Sequence, residues 1–128
     1  MSNRHGVSEE DYDAFKNSGM SREAKEATAG NVNRGIAYEE ALDSPEGRLL
    51  SKEVDNTLLS SISEIVNFKH NENISLRQNY DNILGLILKH NIAQETKARW
   101  ESILRTKDAS VKRIEVVAQA ARKGRNGG

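Results

Sequence analysis

The chain has 128 residues and equal numbers of acidic and basic side chains, which is enough for one domain with a modest hydrophobic core. The absence of cysteine excludes disulfides, thiol nucleophiles and cysteine-based metal sites. The longest apolar run, residues 83–88, is far shorter than the roughly 20 residues that span a bilayer, so no membrane partner is expected. We predict a cytoplasmic protein, either free or associated with a virion.

Acidic and basic residues are segregated along the chain. Residues 1–47 carry five Lys/Arg and ten Asp/Glu, whereas residues 48–128 carry fourteen and nine. Such asymmetry favours a partner, self-association, or an acidic front that covers a basic surface of the same chain. Since nearly all large aliphatic residues lie between Leu49 and Val117, we predict three parts: an acidic, partly disordered arm over 1–43, a helical core over 44–122 and a flexible basic, glycine-containing tail over 123–128.

The front of the chain carries signals for short helices. Ser8 followed by three acids predicts a helix that ends near Asn17, because a serine caps and acids favour the positive end of the helix dipole. Ser21 predicts the start of an alanine-rich helix that Gly30 and Asn31 would close. A third, weaker helix is predicted over 32–42.

Residues 21–38 have the outline of a degenerate helix-turn-helix, with a capped helix, a glycine-centred turn and a second short helix. Lys25 and Glu26 depart from that pattern, because such a unit usually buries an apolar and a small residue there. The side chains that would face a DNA groove are Asn31, Asn33 and Arg34.

The central part of the sequence carries the signals of the longest predicted helix. Ser44 can cap it, Pro45 suits the first helical position and Glu46 complements the dipole. An apolar stripe at helical spacing follows: Leu50, Val54, Leu58, Ile62, Ile65 and Val66.

The sequence at the rear of the chain indicates a polar turn at residues 69–73, followed by three further helices. One starts at Ser75, with a stripe that includes Leu76, Tyr80 and Leu84; a second follows His90-Asn91, and a third starts at Asp108. No alternating apolar pattern indicates a sheet. The predicted fold is therefore all-α, a helical bundle or paired helical hairpins of about four core helices, preceded by short, weakly ordered N-terminal helices.

The residues that usually carry catalysis form no recognisable constellation. His5, His70 and His90 have no acid at ligand spacing, and the serines at 60, 61 and 63 lie beside an apolar stripe with no base near them in sequence. Phosphate-binding loops and nucleophile elbows are absent from the sequence. We therefore predict a protein that is not an enzyme, with no catalytic residues, no metal site and no cofactor.

The predicted helices carry more apolar surface than four short helices easily hide, which favours a homo-oligomer or a component of a larger assembly. Trp100 packs either in the core or at a subunit interface. The main prediction is a helical interaction or assembly protein whose partner is itself or another protein. The predicted interface residues are Leu49, Leu59, Leu86, Trp100 and Val116.

The basic rear suggests a second function. From Lys97 onward the chain has nine Lys/Arg and three acids, a pattern that can neutralise phosphates. The same bases could instead complement helix dipoles or dock the acidic front. The alternative prediction is therefore a DNA-binding packaging or regulatory protein. Its predicted nucleic-acid contacts are Arg105, Lys107, Lys112, Arg113, Arg122, Lys123 and Arg125.

The order of these parts, a small helical front, a helical hairpin and a basic tail, is similar to the layout of the small terminase subunits of tailed phages. That resemblance implies a DNA-recognising front, a ring-forming hairpin and a tail that meets a motor, in a protein of phage or mobile-element origin. Because the resemblance lies in the layout and in no motif, it identifies no site residue.

Overall fold

The computed structural model describes residues 3–4 and 6–126, and about 85% of that part of the chain is helical. The predicted all-α class is therefore confirmed. Two short strands, β1 (Asn3–Arg4) and β2 (Val7–Ser8), pair antiparallel ahead of the helices. The helices are α1 (Glu9–Lys16), α2 (Arg22–Asp43), α3 (Pro45–Val66) and α4 (Leu76–Asn126).

All four of these helices start where a serine predicts them to start. The Ser8 hydroxyl accepts the N–H of the third residue after it at 3.1 Å, and Ser21, Ser44 and Ser75 do the same at 3.2, 3.0 and 3.1 Å. Each hydroxyl satisfies one of the backbone donors that a helix leaves unpaired at its beginning. These starts depend on local chemistry alone, so the sequence is sufficient to locate them.

Helix α2 runs through Gly30 and Asn31 without a turn, so the predicted helix-turn-helix over 21–38 is wrong. A glycine costs a helix about 1 kcal/mol relative to alanine, and packing outweighs that cost here. Val32 is fully buried, and a Cβ atom built on Gly35 would overlap the side chain of Lys107 on α4. Gly35 therefore permits a close approach between α2 and α4. The buried residues of α2, Thr28, Val32 and Gly35, are spaced four and three positions apart, so one packed face continues across Gly30 and Asn31.

Helix α4 is also uninterrupted, so the breaks predicted at His90-Asn91 and at Asp108 are wrong. Because α4 has 51 residues and α3 has 22, the prediction that the central helix is the longest is also wrong. None of the residues at the predicted breaks is a glycine or proline, and each costs a helix less than about 1 kcal/mol. The cost is offset along a seam of buried and half-buried positions whose spacing alternates between four and three residues, the heptad pattern of helices that pack side by side. The seam consists of Asn79, Ile83, Leu86, His90, Ala93, Lys97, Trp100, Leu104, Lys107, Val111, Ile114, Ala118 and Ala121.

The chain forms two compact units that differ from the predicted division at residues 43 and 122. Unit 1 comprises Met1–Glu40 and Glu101–Gly128, and unit 2 comprises Ala41–Trp100. The hydrophobic core of unit 1 takes side chains from the front of the chain and from the end of α4. The buried members of this core are Val7, Ala14, Phe15, Val32, Ile114 and Ala118.

Within unit 1, Lys25 ties α2 to α1. Its ammonium group donates hydrogen bonds to the carbonyl oxygens of Lys16 and Ser18, both at 2.7 Å. These carbonyls lie at the C-terminal end of α1, where the helix dipole favours a cation. The residue that departs from the helix-turn-helix pattern therefore has a structural role as a helix cap.

Unit 2 is an antiparallel pairing of α3 with the first half of α4. Ser61 meets His90, with 2.9 Å between the hydroxyl oxygen and Nδ1, and Asp55 pairs with Lys97 at 2.8 Å. The turn between the helices is closed by Asn79, whose side chain accepts the Asn71 N–H and donates to the Asn71 carbonyl.

Candidate interaction surfaces

Unit 2 leaves most of its large apolar side chains exposed. In the described part of the chain, only Val116 has this property outside unit 2. Single exposed aliphatic residues are normal on proteins, but a set of this size on one pair of helices is a candidate interaction surface. The exposed residues of unit 2 are Leu49, Leu50, Leu59, Ile62, Val66, Leu76, Tyr80, Leu84, Ile87, Leu88 and Ile92.

Most of the α4 stripe predicted to be buried is exposed within unit 2. Leu76 and Tyr80 are exposed and Leu84 retains 36% of its accessible surface, although Ile83, which belongs to the same predicted stripe, is half-buried. The covered face carries the buried Asn79, which was not part of the predicted stripe. Apolar residues occur on more than one face of this helix, and a single neighbouring helix can cover only one face. The polar Asn79 occupies the covered face because it closes the turn.

The predicted interface residues fall into two groups. Leu49, Leu59 and Val116 are exposed, the most accessible being Leu59 at 71%. Leu86 and Trp100 are half-buried within their own chain, in the seam of α4. The structure therefore presents the first three to solvent and packs much of the other two internally.

An open apolar groove of about 500 Å³ lies between α3 and α4 in unit 2. We call it the α3–α4 groove. Its volume is in the range of sites that bind a side-chain cluster or a small ligand. The lining residues are Leu50, Glu53, Val54, Thr57, Gly85, Leu88, Lys89, Ile92, Ala93 and Thr96.

Two properties of the groove bear on what it can bind. Its charged lining residues are one acid on α3, Glu53, and one base on α4, Lys89, and both are exposed. Gly85, in the middle of α4, has no heavy atom within 4 Å of a Cβ position built on it, apart from its own helix and chain neighbours. The groove therefore carries both signs of charge and leaves one stretch of helix backbone open to close approach.

The residues predicted to contact nucleic acid also differ in their surroundings. Lys107 pairs with Glu39 at 2.5 Å, and Arg122 pairs with Asp11. The side chain of Arg125 lies outside the described residues. The predicted nucleic-acid contacts that are exposed to solvent are Arg105, Lys112, Arg113 and Lys123.

Within unit 1, these two ion pairs join the acidic front of the sequence to its basic rear. In each pair the acid comes from the front of the chain and the base from the second half of α4. Glu101, Asp108 and Glu115 also lie along this half of α4 at seven-residue spacing, within about one turn of the exposed Arg105, Lys112 and Arg113. Part of the basic surface is therefore neutralised by the chain itself.

The residues predicted to face a DNA groove, and the histidines considered for catalysis, lie in environments that differ from those roles. Asn31 and Arg34 line a small cavity of about 160 Å³ with residues 102, 103 and 106 of α4, and Asn33 is exposed. His70 is exposed, and His5 lies outside the described residues.

Sequence reasoning missed the contact between Ser61 and His90, because no local pattern links positions 29 apart. Ser61 is fully buried, and its hydroxyl also donates to the Thr57 carbonyl at 2.6 Å. A hydroxyl enclosed in this way cannot reach a substrate, so the pair is a structural contact. The signal that could have found it is the helical register that places both residues on facing stripes.

The described residues contain no group of three His, Asp or Glu placed to hold a metal ion. In the same part of the chain, no helix combines the length and the apolar character needed to cross a membrane.

Comparisons with models of protein families, with curated proteins and with solved structures found no match to this chain.

Proposed function

We propose that this chain is a helical assembly protein that acts by self-association, with unit 2 as the associating part. The supporting observation is the concentration of exposed large apolar side chains in unit 2. Transfer of apolar surface out of water stabilises association by about 25 cal/mol per Å² before the entropic costs of binding. A pair of helices with this much exposed apolar surface is stabilised when further helices cover it.

The composition of the surface favours assembly over chemistry. The exposed set consists of ten aliphatic side chains and one tyrosine, and aliphatic side chains neither transfer protons nor bind metals. They do form the cores of helical bundles, in which apolar faces of several helices meet. A homo-oligomer accounts for the surface with no component beyond the chain itself.

Molar mass in solution tests this proposal. Static light scattering on the full chain during size-exclusion chromatography is expected to give a multiple of the 14.3 kDa chain mass, decreasing on dilution. A matched variant with Leu59→Gln and Val66→Gln removes exposed apolar groups and should shift the mass towards one chain. A mass of one chain at every concentration would contradict the proposal.

A second candidate function is weak, salt-dependent binding of nucleic acid by unit 1. The observation that favours it is the exposure of Arg105, Lys112 and Lys123, which lie on one line of α4 at spacings of seven and eleven residues. Phosphate contacts by such residues are independent of sequence and weaken as salt rises. DNA packaging or regulation, and an origin in a phage or mobile element, stay predictions.

A further inference from the structure

We propose that the α3–α4 groove docks a second copy of this chain through the same groove, with Glu53 of each copy opposite Lys89 of the other. This inference rests on the proposed self-association and names the surface that carries it. A two-fold axis that crosses the groove between these residues exchanges their positions, so each acid meets a base. The groove is then a self-complementary patch.

Charge complementarity identifies a second copy as the occupant. An interface with two-fold symmetry uses one patch twice, so a patch with one acid and one base can pair with itself without leaving a charge unmatched. A partner helix with only acids would pair with Lys89 but be repelled by Glu53, and one with only bases would pair with Glu53 but be repelled by Lys89. The other residues that line the groove are apolar or are threonines. Such a lining suits contact with a helix from unit 2 of a second copy.

Gly85 is an independent observation that points to the same occupant. Glycine in a helix interior costs about 1 kcal/mol relative to alanine, and Gly35 and Gly47 of this chain are each explained by a close neighbour. Gly30 and Gly85 both lie inside a helix without such a neighbour in the chain, and of these two Gly85 lines the α3–α4 groove. A helix of a second copy seated in the groove would supply the close approach for which glycine is suited.

The apolar residues of the groove would make up the dry centre of this interface. Leu50, Leu88 and Ile92 are each at least half exposed, the most accessible being Ile92 at 65%. Pairing two grooves places three aliphatic side chains from each copy in one layer and completes a four-helix arrangement. The pairs of Glu53 with Lys89 at the edge of the interface then select one alignment of the two copies, because other alignments bring like charges closer together.

A charge-exchange experiment tests the docking. E53K alone and K89E alone each turn both predicted rim pairs into like-charge pairs, and self-association measured by sedimentation equilibrium should weaken about tenfold. An equimolar mixture of E53K and K89E should recover association to within about threefold of the wild type, because opposite charges then meet across the interface. The matched controls D81K and R77E make the same changes in net charge on exposed α4 residues outside the groove, and neither should weaken association.

A second pair of variants tests the close approach at Gly85. Gly85→Gln should weaken self-association at least as strongly as E53K, whereas Gly30→Gln, at an equally open helical glycine in unit 1, should not. If the wild type associates but the E53K and K89E mixture stays as weak as each variant alone, the groove proposal is overturned and the proposed function stands. A wild type that remains one chain at every concentration overturns both and leaves the groove to a different protein.

Discussion

The hydroxyl of Ser61 lies 2.9 Å from Nδ1 of His90 and joins α3 to α4 at a fully buried position. Ser61 is fully buried, and His90 is half-buried in the seam of α4. A polar pair of this kind loses its hydrogen bond if one helix slides by a turn, so it favours a single register between the two helices. The pairing of α3 with α4 in unit 2 therefore depends on a specific polar contact as well as on apolar burial.

Ser61→Ala should lower the free energy of unfolding by about 1–2 kcal/mol, because it leaves the His90 nitrogen without its buried partner. Ser60→Ala is the matched control, since the Ser60 hydroxyl is exposed and makes one long contact with the Thr57 carbonyl at 3.3 Å. Its effect should stay within about 0.5 kcal/mol. Urea denaturation followed by circular dichroism measures both values, and equal effects of the two variants would contradict the structural role of Ser61.

Gly35→Ala and Gly30→Ala should change stability in opposite directions. A methyl group on Gly35 would overlap the side chain of Lys107 and should destabilise by about 1–3 kcal/mol. Gly30 has open space around it, so alanine there should stabilise α2 by about 0.5–1 kcal/mol. Thermal and urea unfolding of the two variants check the prediction, and a stabilising Gly35→Ala would show that the close approach is absent in solution.

Asn79→Asp should destabilise unit 2 by about 1–3 kcal/mol. The Asn79 amide donates to the carbonyls of Asn71 and Ser75 at 2.9 and 3.0 Å, and a carboxylate would direct oxygen towards both of them. Asn82→Asp makes the same change at an exposed position of the same helix and should have little effect. If both variants unfold at the same urea concentration as the wild type, the amide does not close the turn.

Lys112→Ala combined with Lys123→Ala should reduce binding to duplex DNA at low salt, and the loss should shrink as salt rises. Lys52→Ala combined with Lys69→Ala removes the same charge from exposed positions of unit 2 and serves as the control. A salt-dependent mobility shift compares the two double variants with the wild type. If none of the three chains binds duplex at low salt, the nucleic-acid proposal is excluded.

The sequence is sufficient to predict the features that depend on neighbouring residues. The capping serines Ser8, Ser21, Ser44 and Ser75 locate four helix starts, because their chemistry acts over three residues. The breaks predicted in α2 and α4 were wrong because tertiary packing decides them: the buried Thr28 and Val32 lie on either side of Gly30, and Gly35 packs against Lys107, 72 positions away in the sequence. Local propensity carries no information about such a contact.

The faces of α3 and α4 show a second limit of sequence reasoning. Apolar spacing identifies Leu84 and Leu88 as members of a stripe, but it does not reveal whether a stripe meets the same chain or another one. In unit 2 the covered face is instead marked by Asn79 and Ser61, whose burial follows from hydrogen bonds with distant residues. The predicted excess of apolar surface is present, and the structure locates most of it on unit 2.

Amide hydrogen exchange measured at several protein concentrations tests self-association through unit 2 most directly. As concentration rises, exchange should slow in peptides that cover residues 50–62 of α3 and 80–92 of α4, because association covers their exposed apolar faces and suppresses local opening. Peptides from α1 and from residues 101–122 should exchange at rates independent of concentration. Exchange that is independent of concentration throughout the chain, or protection that appears only in unit 1, would contradict the proposed role of unit 2.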